Sequence, residues 1–407
     1  MSIETEVELM EEIRPPKRTI GVSAWLKENL FSTWYNTLLT LVALGCVYLL
    51  LKGILVWAFT DAKWGVIPAN LQLFAIGAYP IAQVWRVWIV LYTVCALAGL
   101  SGGIWGGLTL RFAVGIGGVG VIIALLSMGI PTFGWATRGW ILGAVVLLAV
   151  FLFLGSRSQS LFPKIRRWVL IGWLFSFPWT LIMLHGFGEN VVLTTNWGGL
   201  LLTLILAAVG ICFCFPLGVL LALGRRSSLP VVKWVSTAYI EIVRGVPLIT
   251  ILFMAQVVIP IFMPDNIRLD KVLRAMLGIT LFSAAYMAEN VRGGLQAIPR
   301  GQYEAAQAVG LNYPLTMLFI VLPQALRSVI PAIVGQFIAL FKDTSLVTIV
   351  GLLDLLGIAK SVIANPDWLG LQAEVYIFVA VIYFVFSYSM SYVSQKVEEA
   401  LGVGKNL

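Results

Sequence analysis

Apolar runs of membrane-spanning length recur along this chain, and they leave little choice of fold. A helix that crosses the hydrocarbon core of a bilayer needs about 17–25 predominantly apolar residues. Runs of that kind fall roughly at 34–59, 82–100, 112–130, 139–155, 168–186, 195–223, 235–262, 272–295, 323–350 and 373–395. Inside lipid every backbone N–H and C=O must be satisfied by its own segment or by a closed barrel, so such runs read as helices. The expectation is an all-α polytopic membrane protein with about ten transmembrane helices. The 407 residues are 60% hydrophobic and only 11% charged, whereas a soluble domain carries about a quarter charged residues.

Charge then sets the orientation, because Lys and Arg gather in cytoplasmic loops. Arg157, Lys164, Arg166 and Arg167 follow the fourth run, Arg225, Arg226 and Lys233 the sixth, and Arg292 and Arg300 the eighth. The alternate loops are poorer in base: 187–194 has Glu189 and no Lys or Arg, and 351–372 sets Asp354 and Asp367 against Lys360. Lys63 and Arg138 are exceptions. Both termini are therefore expected in the cytoplasm, and the net charge of +8 belongs to this asymmetry rather than to a nucleic-acid surface. Residues 1–33 begin acidic (Glu4, Glu6, Glu8, Glu11, Glu12), end basic (Arg14, Lys17, Arg18, Lys27) and lack the apolar core of a signal peptide. They are expected to form a cytoplasmic arm.

Several patterns that suggest chemistry fail on context. Gly115, Gly117 and Gly120 spell GxGxxG, but inside an apolar run with no strand before it. Gly404-Lys405 has Glu399 where a P-loop needs glycine, and no Ser or Thr follows the lysine. Cys46, Cys95, Cys212 and Cys214 all fall in apolar runs without disulfide or zinc spacing. No enzymatic site, metal or cofactor is expected on this chain.

The stretch from Ile298 to Leu322 breaks the apolar text. Gln302–Val309 is compatible with helix throughout and carries three alanines. Gly310 stands where a left-handed cap would fall, with Leu311 to supply the apolar contact of such a cap. Asn312 and Pro314 start a second short element, and Pro323 begins the next apolar run. Ala305 and Ala306 are small enough for another surface to come close.

This stretch does not stand alone. Gly198-Gly199-Leu200-Leu201-Leu202-Thr203-Leu204 opens the sixth run, and Leu223-Gly224-Arg225-Arg226-Ser227 closes it. Tyr239-Ile240-Glu241-Ile242-Val243-Arg244-Gly245-Val246-Pro247-Leu248 follows, and then Ser283-Ala284-Ala285-Tyr286-Met287-Ala288-Glu289-Asn290-Val291-Arg292-Gly293-Gly294-Leu295. Glu304-Ala305-Ala306, Gly310, Leu322-Pro323 and finally Lys342-Asp343-Thr344-Ser345-Leu346 complete the set. In this order and spacing the segments resemble the permease subunits of ATP-binding-cassette importers of polar amino acids. The long form, with extra N-terminal spans, is similar to one permease of the bacterial general L-amino-acid systems. The resemblance covers roughly 195–400.

The resemblance implies a type I importer core of five spans over 191–400, with a cytoplasmic coupling loop at 298–322. An added membrane region would occupy 34–190, between the arm 1–33 and a cytoplasmic tail 401–407. The chain would lie in the bacterial cytoplasmic membrane beside a second homologous permease. Two ATPase subunits carrying ATP and Mg, an external substrate-binding protein and an amino-acid substrate would complete the system. Glu304, Ala305, Ala306 and Gly310 would couple to the ATPase. Glu304 would pair with a base there or simply favour the first helical turn through the macrodipole.

Ionisable groups within spans are costly and face a bundle interior or a pathway. Glu289, Asn290, Lys342 and Asp343 are thus candidates for the substrate path, Lys342 and Asp343 being equally readable as a structural pair. Glu241 and Arg244, flanking Gly245-Val246-Pro247, are expected to brace the inner end of their span. The competing reading is a secondary transporter driven by an ion gradient; that class favours inverted repeats, whereas here the motifs all lie in the second half.

Overall fold

A computed structural model describes residues 21–129, 134–161, 164–264 and 269–402. It is helical throughout, and among the described residues the one β-type pairing is an isolated bridge between Gly199 and Asp354. The chain divides into two compact units, Met1–Lys63 and Trp64–Leu407.

In the first unit α1 (Val22–Asn29) precedes α2 (Trp34–Val56). The Thr33 hydroxyl caps α2 by accepting the Asn36 N–H, and Thr40 ties back to the Leu30 carbonyl. Lys52 is the one charged residue in α2, as a span requires. Most of the expected arm, residues 1–20, lies outside the described residues.

The second unit begins with two short turns, Val66–Ala69 and Leu71–Ile76, and continues through α3 (Trp85–Trp105), α4 (Gly107–Met128), α5 (Trp135–Leu161) and α6 (Ile165–His185). Next come α7 (Gly199–Arg225), α8 (Pro230–Gly245), α9 (Leu248–Phe253) and α10 (Lys271–Ala297). The chain ends with α11 (Arg300–Ala308), α12 (Tyr313–Thr316), α13 (Leu322–Ser328), α14 (Ile330–Asp343), α15 (Leu355–Ile363) and α16 (Gln372–Leu401). Among the described residues of the whole chain nine helices are long and apolar enough to cross a membrane, or ten if one bent pair counts as a span.

That bent pair corrects the seventh expected run. The stretch 235–262 is not one helix: α8 and the segment Leu248–Phe262 meet at 107°. Pro247 has no N–H to continue the ladder and forces the residue before it out of the α region. Val246 is accordingly extended, at φ −111° and ψ 136°. The ninth run is shortened too, since Val329 interrupts it and the span begins at Ile330. Two prolines are instead absorbed within helices. π-helical turns at Met254–Val258 and Met317–Val321 each end two residues before a proline, Pro260 and Pro323. The wider turn relieves the clash of the proline ring with the preceding carbonyl.

Packing is tightest where glycines remove side chains. A Cβ on Gly103 would stand 2.3 Å from the Leu152 carbonyl oxygen, and one on Gly155 would stand 2.7 Å from that of Leu100. These glycines let α3 and α5 touch backbone to backbone, as small residues do in membranes. In the core, Gly218 receives Met287 of α10, and Gly210 receives Leu340 of α14. Leu206, Cys214, Ala284, Met287 and Leu340 are fully buried there.

Side-chain contacts also cross position 190 within the second unit. Phe74 is buried among Leu355, Ile358 and Val375, with its ring 5.1 Å from that of Phe378. Gly77 and Gly199 both adopt positive φ, and Cβ atoms there would lie 2.4 Å from the Gly198 Cα and the Phe74 carbonyl oxygen. Tyr79 donates to the Leu184 carbonyl at 2.8 Å, and Arg86 to that of Asn190 at 2.9 Å.

Candidate functional site

The polar stretch after α10 folds as two linked helices. Pro299 caps α11, and Ala308 ends it. The Gly310 amide donates to Gln307 O at 2.9 Å and the Leu311 amide to Ala306 O at 3.1 Å. This pair of bonds is a Schellman cap. Gly310 takes φ +79°, a conformation that costs other residues a Cβ clash. Asn312 then accepts the Leu315 amide at 3.1 Å and starts α12, which runs through the π-turn into α13. The second element is thus longer than its sequence suggests, and Pro323 lies inside it.

Side chains tie α11 to the spans. Tyr303 lies under the Arg226 guanidinium at 5.9 Å, while Arg226 also donates to the Leu295 carbonyl at 2.9 Å, near the end of α10. Gln324 of α13 donates to Gln302 at 3.0 Å. Glu304, Ala305 and Gly310 are exposed, but Ala306 is only 4% exposed. Helical spacing places Ala306 on the face of Tyr303, three residues earlier, so it packs inward and offers no outer surface.

A second constellation joins the ends of α7, α8 and α10. Arg225 lies 2.8 Å from Glu241 and 3.5 Å from Glu289, and Arg244 lies 3.6 Å from Glu289. Arg292, one turn on, donates its Nε to the same carboxylate at 2.8 Å. Arg244 also stacks over Tyr286 at 5.5 Å. Glu289 therefore sits within the bracing set of Glu241 and Arg244, not among the other path candidates. Three guanidinium groups hold it, and its side chain is 22% exposed.

The remaining path candidates are not brought together as a set. Asn290 donates to the Ala332 carbonyl at 3.3 Å. Lys342 is exposed and Asp343 half-buried near the end of α14, and among the described residues neither makes an ion pair. Neighbouring positions on a helix point apart, which is why their exposure differs.

Asp354 is a group that loop charge-counting passes over. It is fully buried. Its carboxylate accepts the Leu356 amide at 3.1 Å, the Gly357 amide at 3.0 Å, the Tyr383 hydroxyl at 3.3 Å and the Thr348 hydroxyl. Burial pushes its pKa up, and these hydrogen bonds oppose that rise in part. Thr203 of α7 accepts the Leu355 amide at 3.1 Å, and Gly199 donates to Leu353 at 2.9 Å. The cap thus stitches α7, α15 and α16 together. An Asp before an apolar-periodic stretch is the sequence signal of such a cap.

Several known proteins are similar to this chain. Residues 214–399 match the family described as binding-protein-dependent transport system inner membrane component. The inner membrane amino-acid ABC transporter permease protein YhdY of Escherichia coli K12 is 38% identical, over 98% of this chain and 99% of that protein. The glutamate/glutamine/aspartate/asparagine transport system permease protein BztC of Rhodobacter capsulatus is 37% identical, over 95% of both chains. The crystal structure of an amino acid ABC transporter with histidines superimposes with a TM-score of 0.45 and 29% identity, covering 50% of this chain and 92% of that one. Both relatives align along nearly the whole of this chain and of their own, so this multi-pass membrane protein belongs to the family of amino-acid ABC transporter permeases.

Proposed function

We propose that this chain forms an amino-acid translocation path with a second, homologous permease and couples it, through α11, to two separate ATPase subunits. The observation that carries the reading is a short helix presented outward with Glu304 and Ala305 exposed, closed by the Gly310 cap. Its inward face is locked to α7 and α13 through Tyr303 and Gln302, so a push on the outer face would reach the spans. ATP and Mg are held by the ATPase partner, and an external binding protein delivers substrate. Residues 191–400 act as the importer core and 34–190 as an added membrane region, with 1–33 and 401–407 in the cytoplasm. The relative BztC, a glutamate/glutamine/aspartate/asparagine transport system permease, supports polar amino acids as substrates. Of the neighbours Lys342 and Asp343, which point apart, Lys342 is the group proposed to face them, being exposed within an apolar span.

The test is purification of the chain from its native membrane in mild detergent, with mass spectrometry of what accompanies it. An ATPase and a second permease are expected, and Glu304→Lys with Gly310→Val should release the ATPase while the permeases stay paired. Recovery of the chain alone, with uptake into liposomes that needs no ATP, would support an ion-driven transporter instead.

A further inference from the structure

A groove of about 540 Å³ opens at the coupling-helix end of the core, and its lining is apolar except for one arginine. Phe215 of α7, Leu326 of α13, Ile333 and Phe337 of α14 and Val397 of α16 wall it, together with Arg327. Arg327 marks the end nearest the membrane boundary, because its Nη2 donates to the carbonyl of Leu401, the last residue of α16. Phe215 precedes the end of α7 at Arg225 by about 15 Å at 1.5 Å per residue.

The charges are arranged for an anion at that boundary. One of the five N–H donors of Arg327 is used on Leu401, and the guanidinium is exposed. Nearby carboxylates are engaged elsewhere: Glu398 accepts from Ser394, and Glu399 pairs with Lys396. We propose that this groove is a phospholipid site, with an acyl chain along α14 and the phosphate on Arg327. An acyl chain gains little by leaving equally apolar lipid. Selection must therefore come from the headgroup contact and from the fit of the groove. The occupied groove would brace α13, which continues through the π-turn from the segment beside α11.

The experiment uses the intact transporter, purified in mild detergent and examined by native mass spectrometry for retained phospholipid. Wild type and Lys233→Gln, a charge change on exposed α8 outside the lining, should retain it. Arg327→Gln should retain about fivefold less, the share expected for one basic contact with an anionic headgroup. Val334→Trp, which fills the groove and leaves the Arg327–Leu401 bond in place, should also lose it. A photoreactive residue at position 334 should crosslink to phospholipid. Equal retention by Val334→Trp and wild type, or crosslinks from 334 to a second permease, would overturn the proposal. Neither outcome depends on ATP coupling.

Discussion

Arg225, the last residue of α7, lies 2.8 Å from Glu241 on α8 while its guanidinium also reaches Glu289 on α10 at 3.5 Å. One arginine thus holds three spans at the coupling-helix end. Glu289→Gln would leave Arg225, Arg244 and Arg292 around a neutral amide. With these groups partly exposed, the loss is expected to be about 1–2 kcal/mol, read as a lower Tm in detergent. A double variant with Arg225→Gln should lose less than the sum of the two, because both changes remove the same contact.

Gly310 separates backbone strain from side-chain volume, because a Cβ there meets open space while φ is +79°. Gly310→Val should cost about 1–2 kcal/mol locally and abolish ATP-driven uptake with membrane insertion unchanged. Gly310→Asn, which tolerates the left-handed conformation, should retain most uptake. Normal uptake by the valine variant would remove Gly310 from the coupling role.

Lys342→Met distinguishes a path residue from a structural one. With no ion pair to lose among the described residues, the variant should keep the wild-type Tm while uptake falls. A lowered Tm with uptake intact would mark Lys342 as a strut between subunits.

Gly77→Ala and Gly199→Ala each place a methyl group 2.4 Å from backbone atoms that have no rotamer to yield. Each is expected to destabilise by about 1–3 kcal/mol or more. The readout is loss of monodisperse protein on size exclusion, and Gly45→Ala, where nothing lies within 4 Å, is the control.

Asp354 gives a pH dependence of definite sign. Its folded pKa is raised, chiefly by burial. The protonated carboxyl is therefore favoured by the folded state, and its contribution is fully present below the unfolded pKa and lost as pH rises through the folded one. The Tm of wild type should fall over that window relative to Asp354→Asn, which does not titrate. Parallel curves for the two proteins would show that Asp354 keeps its ordinary pKa.

The spans and the α11 cap are legible in the sequence because both rest on local rules. A lipid-crossing helix must be long and apolar, and a left-handed cap must be glycine or nearly so. The inward face of α11 was not legible: Ala306 reads in sequence as a partner-facing residue beside Ala305, and only the packing of α11 against the spans shows it buried. The setting of Glu289 was not, because its partners Arg225 and Arg244 arrive from other helices. The 107° turn was half legible: Gly245-Val246-Pro247 announces a break, but its angle depends on what α8 and α9 pack against. Asp354 was hidden by its place between two spans, where an acid ordinarily meets water.

The two ends of α7 are held by different kinds of bond. At Gly199 the backbone is wedged beneath Phe74 and bonded to Leu353, contacts that cannot slide without a clash. At Arg225 the attachments are ion pairs, which can exchange partners with little loss. The helix is 27 residues long, about 40 Å, so a rigid tilt about Gly199 would move its Arg225 end most. At that length a tilt of about 10° would carry Arg225 through roughly 7 Å, so the largest stroke falls on the side where α11 is attached.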